Sequence, residues 1–189
     1  MVDYELVGEK ETREVAMANR SDLDAMIARL QSVPPWVIEQ IHPGTGKLQP
    51  WFTVNPAEVV RCLVIQDDNL PTQVASVSAQ IFHWARLAAL ARRAWEVRER
   101  EYRIWRDRLT VSLMDPPEKP KEWKRPTEAQ VTASVRVHPE YPEFYQRTEV
   151  AEEAYNATQG VLEAFRAQLS SLDLAVSRAQ SGGAPRMSM

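Results

Sequence analysis

Residues 144–179 read FYQRTEVAEEAYNATQGVLEAFRAQLSSLDLAVSRA, and their spacing decides the fold. Phe144, Thr148, Ala151, Tyr155, Thr158, Leu162, Phe165, Leu169, Leu172, Val176 and Ala179 are separated by four and three residues in strict alternation. That period keeps one stripe on one side of a helix over five heptads, the pattern of a coiled-coil seam. Gly160 is the one glycine inside it. A glycine there costs about 1 kcal/mol relative to alanine unless close packing or a bulge uses the missing side chain.

Prolines parse the rest of the chain. Of 13 in 189 residues, none lies between Pro71 and Pro116 and none between Pro142 and Pro185, which predicts two long helices. The first opens at Pro71-Thr72 and runs to about Met114, roughly 60 Å at about 1.5 Å per residue. It carries two seams, Leu87, Leu90, Ala94, Val97, Ile104, Val111 and Trp84, Ala88, Ala91, Trp95, Tyr102, Trp105, Leu109. One helix with two seams expects two neighbours. Glu101 and Arg108 interrupt the first seam and Arg98 the second, so some of these charges are expected to find partners across an interface. A lone two-helix hairpin would leave Trp84, Trp95 and Trp105 in water, which predicts a homo-oligomer joined through the unused seam.

Between the helices, residues 115–126 (DPPEKPKEWKRP) hold four prolines and predict an extended turn. Thr127-Glu-Ala-Gln130 then has the form of a capping box and starts a short helix ending before Pro139. Residues 1–69 differ in kind. Ser21-Asp-Leu-Asp24 caps a short helix to about Gln31 with Leu23, Ile27 and Leu30 on one side, and Trp36–Ile41 with Leu48–Val54 flank Pro43-Gly-Thr-Gly46 as a β-hairpin. Asn55-Pro-Ala-Glu58 suits a helix cap, while the β-branched run Val59–Ile65 suits a strand equally well. The fold class expected is mainly α: a long antiparallel, coiled-coil-like helical hairpin over 70–180, a small mixed α/β segment over 1–69, and a disordered tail over 181–189.

The net charge of −3 conceals an asymmetry. Residues 1–85 hold 6 Lys/Arg against 11 Asp/Glu, net −5; residues 86–125 hold 12 against 7, net +5; residues 126–189 hold 5 against 8, net −3. A basic middle lies between two acidic ends. No run of 18 apolar residues exists, and Asp3, Glu5 and Glu9 do not suit a signal peptide, so no membrane partner and a cytoplasmic location are expected, that of the host if the chain is phage-encoded.

Catalytic motifs are missing. Gly44-Thr-Gly-Lys47 resembles a phosphate loop but has the wrong spacing and Leu48 in place of Ser or Thr, so a hairpin turn is expected. His42, His83 and His138 are scattered without ligand spacing, and Cys62 sits in an apolar run that predicts a buried, inert thiol. No enzyme, no metal and no cofactor are expected.

What remains is the basic stretch, with eight arginines from Arg86 to Arg108 among Trp95, Tyr102 and Trp105. Glu96–Arg100, Glu99–Arg103 and Arg103–Asp107 are spaced as i,i+4 pairs of a solvated face. Near the tip, Arg106, Arg108, Lys119, Lys121, Lys124 and Arg125 are expected around an exposed Trp123. Cations for phosphates and an aromatic for a base form the combination that single-stranded nucleic acid requires.

Thr72–Ala179 resembles the UvsY-like recombination mediators of bacteriophages in layout and short motifs. Phe82-His-Trp84 lies early in the first helix and Arg106-Asp-Arg108-Leu109 near its end. Lys124-Arg-Pro-Thr-Glu128 forms the turn, Tyr141 or Tyr145 precedes the last helix, and Phe144–Ala179 is the final heptad helix. The resemblance implies a non-catalytic, ring-forming protein that binds single-stranded DNA and helps load a recombinase in place of a single-strand-binding protein, with Arg106 and Arg108 on DNA. Residues 1–69 have no counterpart in it, and the proline-rich turn is longer than in its simplest members. The alternative is a helical scaffold or adaptor protein of a phage, in which both seams serve packing and the charges only solubilise.

Overall fold

The computed structural model describes residues 20–65, 69–118 and 122–182, with side chains as far as Arg178. The protein is mainly helical. A helix α1 over residues 20–31 is followed by strands β1 (Trp36–Ile41) and β2 (Leu48–Val54), then α2 (Pro56–Leu63), α3 (Leu70–Met114), α4 (Glu128–Val137) and α5 (Tyr141–Gly182). Among the described residues, 20–37, 52–65, 69–89 and 156–182 form one compact unit, and 38–51, 90–118 and 122–155 form a second; α3 and α5 supply residues to both.

Helix ends follow local chemistry. Asn55 caps α2 by accepting the Ala57 amide at 3.1 Å, with Pro56 in the first turn where its missing N–H costs nothing, and the run from Val59 is helical as far as Leu63, with Val64 extended beyond it. Thr127 and Gln130 form the expected capping box of α4. Pro71 and Pro142 both sit inside first turns, so α3 and α5 begin one residue ahead of them. Ser21 lies within α1 and does not cap it. Helix α5 continues through Gly182, two residues into the stretch assigned to a tail, and 183–189 lie outside the described residues.

The strands form an antiparallel hairpin closed by His42 N–H to the Lys47 carbonyl and Gly46 N–H to the His42 carbonyl, both 2.8 Å. Gly46 has φ 67°, a left-handed conformation that glycine adopts without strain. His42 Nδ1 accepts the amides of Gly44 and Thr45 at 3.1 and 3.2 Å, so the Gly-Thr-Gly-Lys stretch is a hairpin turn with a histidine cap.

In the first unit, Leu23 and Leu30 of α1, Trp36, Val54, and Val59 with Leu63 of α2 are buried together with Trp84 and Leu87 of α3 and Val161, Leu162, Phe165 and Leu172 of α5. Trp84 stacks on Phe165 with ring centroids 6.2 Å apart. Among the described residues, two polar side chains of α5 are buried, Thr158 in the seam and Gln168 beside it. Thr158 Oγ1 accepts the indole N–H of Trp36 at 3.0 Å, and Gln168 Nε2 donates to the Cys62 carbonyl at 3.0 Å. Because Val59 and Leu63 take the inward face of α2, Cys62 is exposed, contrary to the buried thiol that its apolar surroundings suggested.

In the second unit, Ala91 and Ala94 of α3, Val131 and Val135 of α4, and Ala151 and Ala154 of α5 are buried, and Trp95 stacks on Tyr155 at 5.6 Å and 8°. Arg98, the charge that interrupts a seam, finds its partner in the same chain. It forks onto Glu39 of β1 through Nε (3.2 Å) and Nη2 (2.8 Å) and reaches Glu101 at 3.1 Å. Burial alone would lower the Arg98 pKa, but the hydrogen bonds and charges of Glu39 and Glu101 outweigh it and hold the pKa above its ordinary value.

The two seams of α3 fare differently. Trp84 is 5% exposed, and Trp95 and Trp105 are half-buried against α5, so the exposed tryptophans from which self-association was argued are covered by the chain itself. The other seam is buried at Leu87 and Ala94 but open further along, where Ile104 is 46% and Val111 66% exposed. Among the described residues, no helix is long and apolar enough to cross a membrane.

Candidate functional site

The last three turns of α3 stand between two clefts of the second unit. On one side, Tyr102, Arg106, Thr110 and Met114, each four residues from the next, face Glu128, Val131, Thr132, Val135 and Arg136 of α4, with Tyr141 closing the end. This cleft has a volume of about 480 Å³. Its floor is apolar because Val131 and Val135, one turn apart, are the residues α4 buries. On the other side, Glu101, Ile104, Trp105, Arg108, Leu109 and Ser112 face His138, Glu140 and Phe144 across a groove of about 540 Å³.

The clefts differ in charge. The first carries Arg106 and Arg136 against Glu128, and the second carries Arg108 against Glu101 and Glu140. Only the first favours an anion. Two residues along a helix turn the direction by about 200°, so Arg106 and Arg108 leave α3 on nearly opposite sides. The basic step that the sequence presents as one feature is therefore divided between two surfaces.

Aromatic rings fill the wall between the clefts. Trp105 stacks on Phe144 at 5.0 Å and donates its indole N–H to Glu140 Oε2 at 2.8 Å, while Tyr102 stacks against Trp105 at 6.0 Å. The Arg106 guanidinium lies 5.9 Å from the centroid of the Tyr102 ring, and its Nε and Nη2 share Asp107 Oδ1 at 3.3 and 3.2 Å. That ion pair joins adjacent, solvent-exposed residues and holds Arg106 weakly. Burial raises the Tyr102 pKa, its neighbour Tyr141 raises it further, and the charges of Arg106 and Arg136 pull it back down. Both guanidiniums thus act on one phenol hydroxyl.

Of the residues singled out in the sequence, Arg106 lines the first cleft and Arg108 the second. Lys124 and Arg125 are exposed just ahead of α4, whose first turn supplies Glu128 to the first cleft. Trp123 is half-buried where an exposed ring was expected, and Lys119 and Lys121 lie outside the described residues. Arg136 was missed, although the period of α4 carries the signal: with Val131 and Val135 inward, Arg136 flanks the buried stripe. Of the anticipated helix pairs, Glu99–Arg103 forms, whereas Glu96 pairs with Arg92 and Asp107 with Arg106. His138 Nδ1 accepts the Glu140 amide at 3.3 Å, and His83 packs edge-on to Phe52 and Trp84. Among the described residues, no three His, Cys, Asp or Glu side chains gather as a metal site would require.

No family model matches the chain, and no curated protein or solved structure matches it.

Proposed function

We propose that the protein is a non-catalytic single-stranded-DNA-binding factor of the recombination-mediator kind, which would hand a strand from a single-strand-binding protein to a recombinase. The observation that carries this is a group of exposed cations at one end of the second unit. Among the described residues Arg106 pairs with an exposed neighbouring carboxylate, Lys124 and Arg125 are exposed, and a block of stacked rings lies behind Arg106. Such a surface binds phosphates through counterion release and carries no base-edge code. Copies joined through Ile104 and Val111, exposed one heptad apart, would present several weak tips to one strand and multiply their affinity through effective concentration.

The test is a titration of a labelled single-stranded oligonucleotide at rising salt. Binding that is insensitive to sequence and weakens steeply with salt is expected. Failure to bind at low salt would remove this function. A helical scaffold or adaptor would then be the better account, favoured by the apolar side chains left in water at Phe82 and Val137, each 81% exposed.

A further inference from the structure

The cleft between α3 and α4 has a polarity along its length. Met114 and Glu128 lie at the end next to the turn, and Tyr102, Arg106, Arg136 and Tyr141 lie at the other. Glu128 and Arg136 are eight residues apart on one helix, about 12 Å along its axis. The space between them is floored by Val131 and Val135, and the volume of about 480 Å³ falls among those of small-ligand sites. One end therefore offers two guanidiniums with two phenol hydroxyls beside them, the middle offers apolar surface, and the far end offers a carboxylate that accepts hydrogen bonds.

We infer that this cleft is a phosphate-anchored site for one nucleotide of a single strand, in which Arg106 and Arg136 hold the same phosphate and the ring lies over Val131 towards Glu128. Guanidinium forks match phosphate oxygens, and paired forks from two helices fix its position as neither does alone. The inference rests on the single-strand reading and adds to it a place, a new residue and a stoichiometry.

Arg136 also has a plain structural role, since a cation in the last turn of α4 complements the helix dipole. The experiment separates the two roles. Anisotropy of a fluorescein-labelled 15-nucleotide single strand is followed against salt for the full chain and for Arg106→Gln, Arg136→Gln, the double variant, and Arg147→Gln, an exposed arginine already paired with Glu143. Each cleft variant is expected to weaken binding roughly tenfold, the scale of a charged hydrogen bond. In the double variant the slope of log K against log salt should fall by about 0.7, the value for one phosphate of a single strand. Arg147→Gln should change neither quantity. Arg136→Lys, which keeps the charge at the helix end, should melt as the wild type does and keep the salt slope while binding more weakly.

A slope loss of about 1.4 in the double variant would assign the arginines to two phosphates and overturn the shared site. Unchanged affinity in the cleft variants, with wild-type binding intact, would overturn the site and leave single-strand binding standing. Wild-type protein that does not bind would overturn both.

Discussion

Phe165→Ala tests the packing on which the first unit depends. The ring is 1% exposed and stacked on Trp84, itself 5% exposed, so truncation removes a buried aromatic and strands the face of another. Phenylalanine-to-alanine changes in cores cost about 3–5 kcal/mol, of which about 0.5–1.5 kcal/mol belongs to an aromatic pair. For a chain of this size each kcal/mol moves the melting temperature by roughly 2–4 °C, so a fall of about ten degrees is expected. Tryptophan emission is the natural assay, because Trp84 faces the new cavity, and circular dichroism checks that the helices melt with it. Phe82→Ala is the matched control. It lies two residues from Trp84 on α3 but is 81% exposed, and its truncation should change stability by no more than about 0.5 kcal/mol. Equal shifts for the two variants, or a Phe165→Ala shift under about three degrees, would refute the placement of the α5 seam in the core.

Two further outcomes follow from single contacts. A Cβ added at Gly160 meets nothing within 4 Å and its backbone is helical, so Gly160→Ala should raise stability by about 0.5–1 kcal/mol in urea unfolding, and a loss instead would mean that the glycine is packed. Thr158→Val preserves shape but leaves the buried Trp36 indole N–H without its acceptor, which should cost about 1–3 kcal/mol, and an unchanged urea midpoint would deny that bond any weight.

Much of the fold was legible because it is local or periodic. The α5 seam, the turn at Pro43–Gly46 and the capping box at Thr127 each declare themselves within a few residues, and each forms where its spacing places it. Long-range partners were not legible, because no local period encodes them. Thr158 sits in the seam as expected, yet its bond to Trp36 spans 122 positions, and Arg98 finds Glu39 across 59. The exposure of Cys62 was hidden by an apolar run without alternation, in which neither face is marked. In the candidate site the basic tip was visible as composition, whereas the pairing of Arg106 with Arg136 depends on how α4 lies along α3. The division of Arg106 from Arg108 was calculable from helical geometry alone, once the motif was treated as a helix and not as a string.

That division sets a condition on any ligand touching both arginines. On a β-strand, residues two apart project to the same side, and a basic pair so spaced would grip a straight object. On α3, a molecule in contact with both must bend nearly half way around a rod about 10–12 Å across. An unpaired strand can follow so tight a curve. A duplex, whose persistence length is about 150 base pairs, cannot do so without being broken open. Two arginines separated by one aspartate would then discriminate polymers by stiffness, with no base recognised and no additional contact required.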